Sequence, residues 1–319
     1  MHTAGIWIAA ALAVIVLLLL RSEWEKRQLC VETYQVKTDK LRKGTRVLFL
    51  SDLHSVQFGK ANARLLRAID GQKPDAVLIG GDLITCSKRK QNPPHTSIAL
   101  HLLKELCAKY PVYYAEGNHE ARMAQRFPDA YQMYMDHLIQ LGVSYIRNDC
   151  DVFDTEKLLE DTADDLNLYS VSMEPRFFRA LPPGFGRKEP IEEGYLKQKL
   201  GEPDRAQFNI LLMHSPLYFK EAAEWGADLV LSGHFHGGTI YLPKIGGLMT
   251  PQLQFFVREC AGRFRKNGAD MIVNRGLGTH SIRIRLNDLP ELSCIDIVPE
   301  KKCRDTMPEK NCRIAAAED

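Results

Sequence analysis

Cysteine pairs, charge runs and internal repeats are all scarce in this chain of 319 residues. Its eight cysteines, at 30, 86, 107, 150, 260, 294, 303 and 312, form no Cys-x-x-Cys pair and no tight cluster. That removes the signature of a disulfide framework. Isolated cysteines in a chain this long act as small buried hydrophobes and suit a reducing compartment. Surplus charge is missing too: the formal net charge is +2, so the overall balance points to no acidic or nucleic-acid partner. The densest basic run, Lys88-Arg89-Lys90, reads as a solvated loop. No basic-plus-aromatic groove signature appears, so nucleic acid is not an expected partner, and no protein partner can be inferred. What is present is apolar material, 45% of residues, enough for one large domain or two small ones.

A long uncharged apolar run stands at the start. Ala4 to Leu20 carries no charge and ends in Val-Ile-Val-Leu-Leu-Leu-Leu. As a helix it spans roughly 25 Å, near the short end for a membrane crossing. Trp7 and Trp24 bracket it where interfacial aromatics sit. The run passes straight into Arg21-Ser-Glu-Trp-Glu-Lys-Arg27 without small residues of a cleavage site, which predicts a retained single-pass anchor rather than a removed signal. Arg21, Lys26, Arg27, Lys37 and Lys40 follow the span and none precedes it, so the positive-inside rule favours a cytoplasmic catalytic part.

Beyond the anchor (1–21) and a polar connector (22–43), apolar runs of four to seven residues recur. They are Arg46–Asp52, Asp75–Asp82, Val112–Asn118, Phe208–His214 and Asp228–His234. Continuous apolar runs read as strands buried on both faces. Between them, Ala61–Asp70 and Thr96–Tyr110 place Leu65, Leu66 and Ile69, or Ile98, Leu102, Leu103 and Leu106, on one helical face. The alternation predicts an α/β domain over 44–299. Residues 122–207 are more polar and read as an insertion; residues 300–319 read as a disordered tail.

Every one of the five runs ends in metal-ligating residue types. Asp52 and His54 follow the first, Asp82 the second, and Asn118 and His119 the third. His214 follows the fourth; His234 and His236 follow the fifth. α/β sheets bind ligands outside the carboxyl ends of their strands, so this pattern points to a polynuclear metal site. One such residue alone is usually a turn former or cap, and His95, His101, His137 and His280 read as structural. The mixed oxygen and nitrogen set excludes an iron–sulfur cluster and suits Mn, Fe, Zn or Co better than calcium or magnesium.

Written out, the blocks are D-L-H, G-G-D, G-N-H-E, M-H-S and G-H-F-H. Over residues 44–297 this resembles the calcineurin-like metallophosphoesterase superfamily. More narrowly, Leu231–Gly238, Leu242-Pro243 and Arg275–Gly278 are similar to a membrane-anchored bacterial subgroup that includes UDP-2,3-diacylglucosamine pyrophosphatases. The resemblance implies a four-layer αββα sandwich, two divalent transition metal ions, and hydrolysis of a phosphodiester or diphosphate by an activated water. It places Asp52, His54 and His236 on one metal, Asn118, His214 and His234 on the other, and Asp82 between them. His119 would protonate the leaving oxygen. Glu120 departs from the more usual Asp and is expected to orient His119.

Arg122, Arg126, Arg176 and Arg179 are candidate phosphate contacts, since guanidinium pairs with phosphate oxygens. Phe177-Phe178 reads as core, with an amphipathic lip as the alternative. An anchored enzyme meets lipid-linked substrates in two dimensions, which favours a phosphorylated lipid over a soluble metabolite. Two other readings stay open: a nucleotide or nucleic-acid phosphodiesterase, and a non-catalytic scaffold on the same fold.

Overall fold

The computed structural model describes residues 2–152, 166–179, 188–279 and 282–300. It opens with α1 (His2–Glu25), whose stretch Thr3–Glu25 is long and apolar enough to cross a membrane and has none of its apolar window buried. Two six-stranded sheets follow. The first has the order β1-β15-β2-β3-β4-β5: Cys30–Thr38, Glu291–Pro299, Thr45–Leu50, Ala76–Ile79, Val112–Ala115 and Ser144–Ile146. The second runs β13-β14-β9-β8-β7-β6: Gly262–Lys266, Ala269–Val273, Leu229–Ser232, Phe208–Met213, Leu166–Val171 and Asp149–Val152. A small antiparallel sheet, β10 (Tyr241–Leu242), β11 (Gly246–Met249) and β12 (Phe255–Val257), stands apart.

Strand alternation builds the layers. Val47, Phe49 and Leu78 of the first sheet meet Ile210, Leu212, Leu231 and Ile272 of the second in a shared core. Their neighbours Leu48, Leu50, Val77 and Ile79 point the other way. There they pack on Leu65 and Ile69 of α2 (Ala63–Gln72) and Leu102 and Leu103 of α3 (Ser97–Cys107). On the far side, Leu211, Met213, Val230 and Met271 meet Leu196 of α6 (Tyr195–Leu200) and Trp225 of α7 (Phe219–Trp225). The result is the αββα sandwich. Both faces of each sheet are covered, which is why the strands are continuous apolar runs. β2, β3 and β4 are parallel, as are β7, β8, β9 and β14, so their carboxyl ends open on the site loops.

Two expected boundaries differ. The stretch 22–43 is no mere connector: β1 pairs along its full length with β15. Its sequence reads as polar because β1 is an edge strand, with Glu32, Gln35 and Lys37 exposed. Nor is 122–207 an insertion throughout. It supplies part of α4 (Asn118–Arg126), then α5 (Pro128–Gln140), β5, β6 and β7. β7 escaped the apolar pattern because Asn167 interrupts it; the Asn167 amide is satisfied by Asn209 Oδ1 at 3.0 Å. Pro182-Pro183-Gly184, His280 and the tail from 301 lie outside the described residues.

Candidate metal centre

All seven predicted ligands and His119 converge at the strand ends, and all eight are buried. Backbone strain marks the spot. Asp52, His54, Asp82, His234 and His236 have φ of 54°, 50°, 56°, 68° and 48°. Each such residue costs about 1–3 kcal/mol and persists only where the surroundings over-determine it, typically at functional sites. Space is tight as well. A Cβ on Gly117 would stand 2.3 Å from Asp82 Oδ1, and one on Gly233 would stand 2.3 Å from Asp52 Oδ2. Gly117→Ala is therefore expected to cost about 1–3 kcal/mol and to lower both metal content and turnover. Thermal melting, metal analysis and an ester assay check this; wild-type values in all three would show that the loop yields freely.

The side chains form three clusters whose ligand atoms are within metal-binding reach of one another: Asp52-His54-His236, His54-Asp82-His119 and Asp82-His214-His234. His54 Nε2 and His236 Nε2 are 3.2 Å apart. Asp82 Oδ2 is 3.3 Å from His214 Nε2 and 3.9 Å from both His54 Nε2 and His119 Nε2. Asp52 Oδ1 is 3.5 Å from His236 Nε2. Asp52 Oδ1, Asp82 Oδ2 and Asn118 Oδ1 are buried without a hydrogen-bond partner. Orphaned buried oxygens are expensive unless they face a cation. The donor set fits two divalent cations.

The outer ring nitrogens separate the histidines. His214 Nδ1 lies 2.7 Å from the Gly80 carbonyl and His236 Nδ1 lies 2.9 Å from that of Gly278. A carbonyl only accepts, so both Nδ1 atoms carry protons, and each ring, when neutral, presents its Nε2 lone pair to the site. His119 is the reverse: its Nδ1 accepts from the Cys86 backbone N–H at 2.8 Å. The neutral ring then holds its proton on Nε2.

Electrostatics agree with a cation site. With no cation bound, burial opposes charge on His214, yet the carboxylates of Asp82 and Asp52 outweigh it and push its pKa up to about 10, so a proton on Nε2 takes the place that a cation would hold. Burial likewise opposes ionisation of Asp82, but His119 and His214 hold its carboxyl well below the usual range. Glu120, expected to orient His119, has its carboxylate engaged by the neighbouring loops. Its carboxylate accepts from the N–H groups of Asp82 and Gly117, at 2.8 and 3.1 Å, and from the Tyr114 hydroxyl at 2.7 Å. Burial, then Asp82, pushes its pKa up to about 8. It braces the two loops that carry Asp82 and Asn118.

Of the four candidate arginines, one reaches the cavity. Arg122 lines a space of about 500 Å³ with Asn118, His119, Phe178 and His234. Its Nη1 donates to the Cys86 carbonyl at 2.8 Å. Arg126 is instead tied to the carbonyls of Ser87 and Lys90. Arg176 is paired with Glu192 at 2.8 Å and Glu174 at 3.2 Å, and Arg179 is exposed beside it; neither lines that space. The two phenylalanines split: Phe177 is core, while the Phe178 ring sits 4.9 Å from that of His234. Lys88 and Arg89, read as a solvated loop, line the same cavity. Their position a few residues after the Gly80-Gly81-Asp82 turn was the available signal.

Comparison with known proteins identifies the family. The calcineurin-like phosphoesterase profile matches residues 45–238, which hold all eight of these residues. The uncharacterized metallophosphoesterase YkoQ of Bacillus subtilis (strain 168) is 24% identical over 292 residues, 90% of this chain and 97% of that one. Phosphodiesterase YaeI of Escherichia coli (strain K12) is 23% identical over 256 residues, 79% of this chain and 82% of that one. Among solved structures, TT1561 of Thermus thermophilus aligns at 13% identity with a TM-score of 0.41, over 73% of this chain and 90% of that one. With its profile spanning every strand end that carries one of these residues, the chain belongs to the calcineurin-like phosphoesterases and is a metal-dependent phosphoester hydrolase.

Proposed function

We propose that this enzyme hydrolyses a phosphodiester or diphosphate carried by an amphiphile at the surface of the membrane that α1 crosses. The observation that carries this reading is a short hydrogen-bonded path from α1 to the metal centre. Ser22 and Glu25, in the last turn of α1, are buried. Ser22 Oγ accepts from Arg285 N at 2.9 Å, and Glu25 Oε2 accepts from Asp288 N at 3.1 Å. The buried Arg285 guanidinium donates to the Gly278 carbonyl at 2.9 Å, the same oxygen that receives His236 Nδ1–H. A span so joined holds the mouth of the site close to the bilayer, and the basic residues after it favour the cytoplasmic face.

An apolar cavity of about 270 Å³ supports the amphiphile. Phe235, Met249, Pro251, Leu253 and Ile284 line it, with His236 at one wall. Leu253 and Ile282 in its wall are exposed, and Phe255 and Phe256, two and three residues after Leu253, are exposed as well, apolar area suited to a lipid interface. This supports a diphosphate lipid of the kind handled by UDP-2,3-diacylglucosamine pyrophosphatase-like enzymes.

In the site, Asp52, His54 and His236 would hold one cation, Asn118, His214 and His234 the other, and Asp82 both. Bound there, the cations supply Lewis acidity: they acidify water and offset charge on the phosphoryl oxygens. The protein does the rest. Arg122, Lys88 and Arg89 bind the phosphate oxygens, and Phe178 covers the His234 side. His119 Nε2–H donates its proton to the departing oxygen.

The test compares the full chain with one starting at Arg21, which keeps Ser22, Glu25 and β1. Both should hydrolyse a soluble nitrophenyl phosphodiester at equal rates. On a vesicle-borne diphosphate lipid the shorter chain should be slower, on the order of 10-fold or more, because two-dimensional co-localisation raises effective concentration. Equal vesicle rates would refute the membrane reading.

A further inference from the structure

A third cavity, of about 570 Å³, has His54 in its wall, and its lining is basic. Lys26 and Arg27 reach it from the turn that follows α1, Arg64 from α2, and Arg283 from the segment joined to α1. Among the described residues, no acidic side chain lines it. Cations at a helix C-terminus commonly complement the helix dipole, which accounts for Lys26 and Arg27 alone. That effect does not bring Arg64 and Arg283 to the same space from separate elements. Local ties hold the group together. Arg64 Nη1 donates to the Arg27 carbonyl at 3.0 Å, and Lys26 Nζ donates to the Arg283 carbonyl at 2.9 Å and to Glu23. Arg27, Arg64 and Arg283 are exposed, so their heads meet water and any solute entering the cavity.

Like charges gathered in a concave space raise the local concentration of anions, and guanidinium forks match phosphate oxygens in geometry. The cavity shares His54 with the metal cluster, and Thr279 lines both it and the apolar cavity. It also lies at the end of the span, the depth of lipid phosphates. We propose that this cavity is a second anion subsite, which takes the non-scissile phosphate of a membrane-borne diphosphate through Lys26, Arg27, Arg64 and Arg283. This rests on the membrane-facing reading above. The two residues that directly follow α1 thereby take part in substrate binding, while α1 holds the enzyme at the surface.

The test uses the full chain in phosphatidylcholine vesicles and the double variant Arg64→Gln/Arg283→Gln. Dodecyl diphosphate offers two phosphates; dodecyl nitrophenyl phosphate offers one. For dodecyl diphosphate KM should rise about 10–100-fold, from two lost charge-assisted contacts, with kcat within about twofold. The one-phosphate substrate should keep both constants. Equilibrium binding of non-hydrolysable dodecyl methylenediphosphonate should weaken by the same factor as KM rises. Arg64→Lys/Arg283→Lys should restore most of that affinity, which separates lost charge from a damaged fold. An equal loss on both substrates, or no loss on either, overturns the proposal. Soluble methyl diphosphate distinguishes the two readings. If the wild type binds it as well as the vesicle-borne lipid, while the double variant still loses affinity for diphosphates alone, the subsite stands and the membrane reading falls.

Discussion

Asp82→Asn is expected to abolish nearly all activity, a loss on the order of 10²-fold or more, and to sharply reduce the metal content of a folded protein. The side chain sits where the clusters overlap. Its Oδ1 accepts from the His119 backbone N–H at 2.7 Å, which leaves Oδ2 facing His214 at 3.3 Å and His54 at 3.9 Å. In the asparagine variant the same backbone donor would keep the amide oxygen, and the NH₂ would then point at the cations. A neutral group cannot offset two dications, and an amide nitrogen has no lone pair to share between them. The fold should survive, since asparagine is isosteric and tolerates the left-handed backbone at this position, φ 56°. Metal per chain, turnover and the melting curve of metal-free protein provide the check. Two ions per chain with normal turnover would refute Asp82 as the shared ligand.

His119→Gln should behave differently from every ligand variant. The Cys86 N–H occupies Nδ1, so the neutral ring presents a proton donor at Nε2 where His214 and His236 present lone pairs. The variant should retain both metals yet lose about 10²–10⁴-fold on esters with poor alkoxide leaving groups. With nitrophenolate, which departs without protonation, the loss should be much smaller. His214→Gln should shed metal and slow both substrates alike. The measurement is a pair of rate ratios and a metal assay on each variant. If His119→Gln sheds metal, or slows both esters equally, His119 is no proton donor.

The fold class and the clustering of metal-ligating residue types were legible in the sequence because both depend on local patterns. A strand covered on both faces needs an unbroken apolar run, and Val47–Leu50, Leu78-Ile79 and Ile210–Met213 supply it. A ligand at a strand end stays within a few residues of that run, so Asp52, Asp82 and His214 could be picked out one block at a time. Patterns fail where stability comes from a distant partner. β1 is polar on its open side and is a strand because β15, some 260 residues away, supplies its hydrogen bonds. β7 tolerates Asn167 because Asn209 answers it.

The chemistry inside the site was settled by tertiary contacts. His119 and His214 are the same residue type in similar strand-end positions. Only the group opposite Nδ1, an N–H from Cys86 or a carbonyl from Gly80, makes one a donor and the other a lone pair. Glu120 reads in the sequence as a partner of its neighbour His119, and only the fold shows its carboxylate bracing Gly117 and Asp82. Arg176 was a free guanidinium on paper; Glu192 and Glu174 engage it in the fold. Residue identities and their spacing say which atoms can bind a cation or a phosphate. Which of them are aimed at one point, and which are spent on each other, depends on long-range packing that no local spacing encodes.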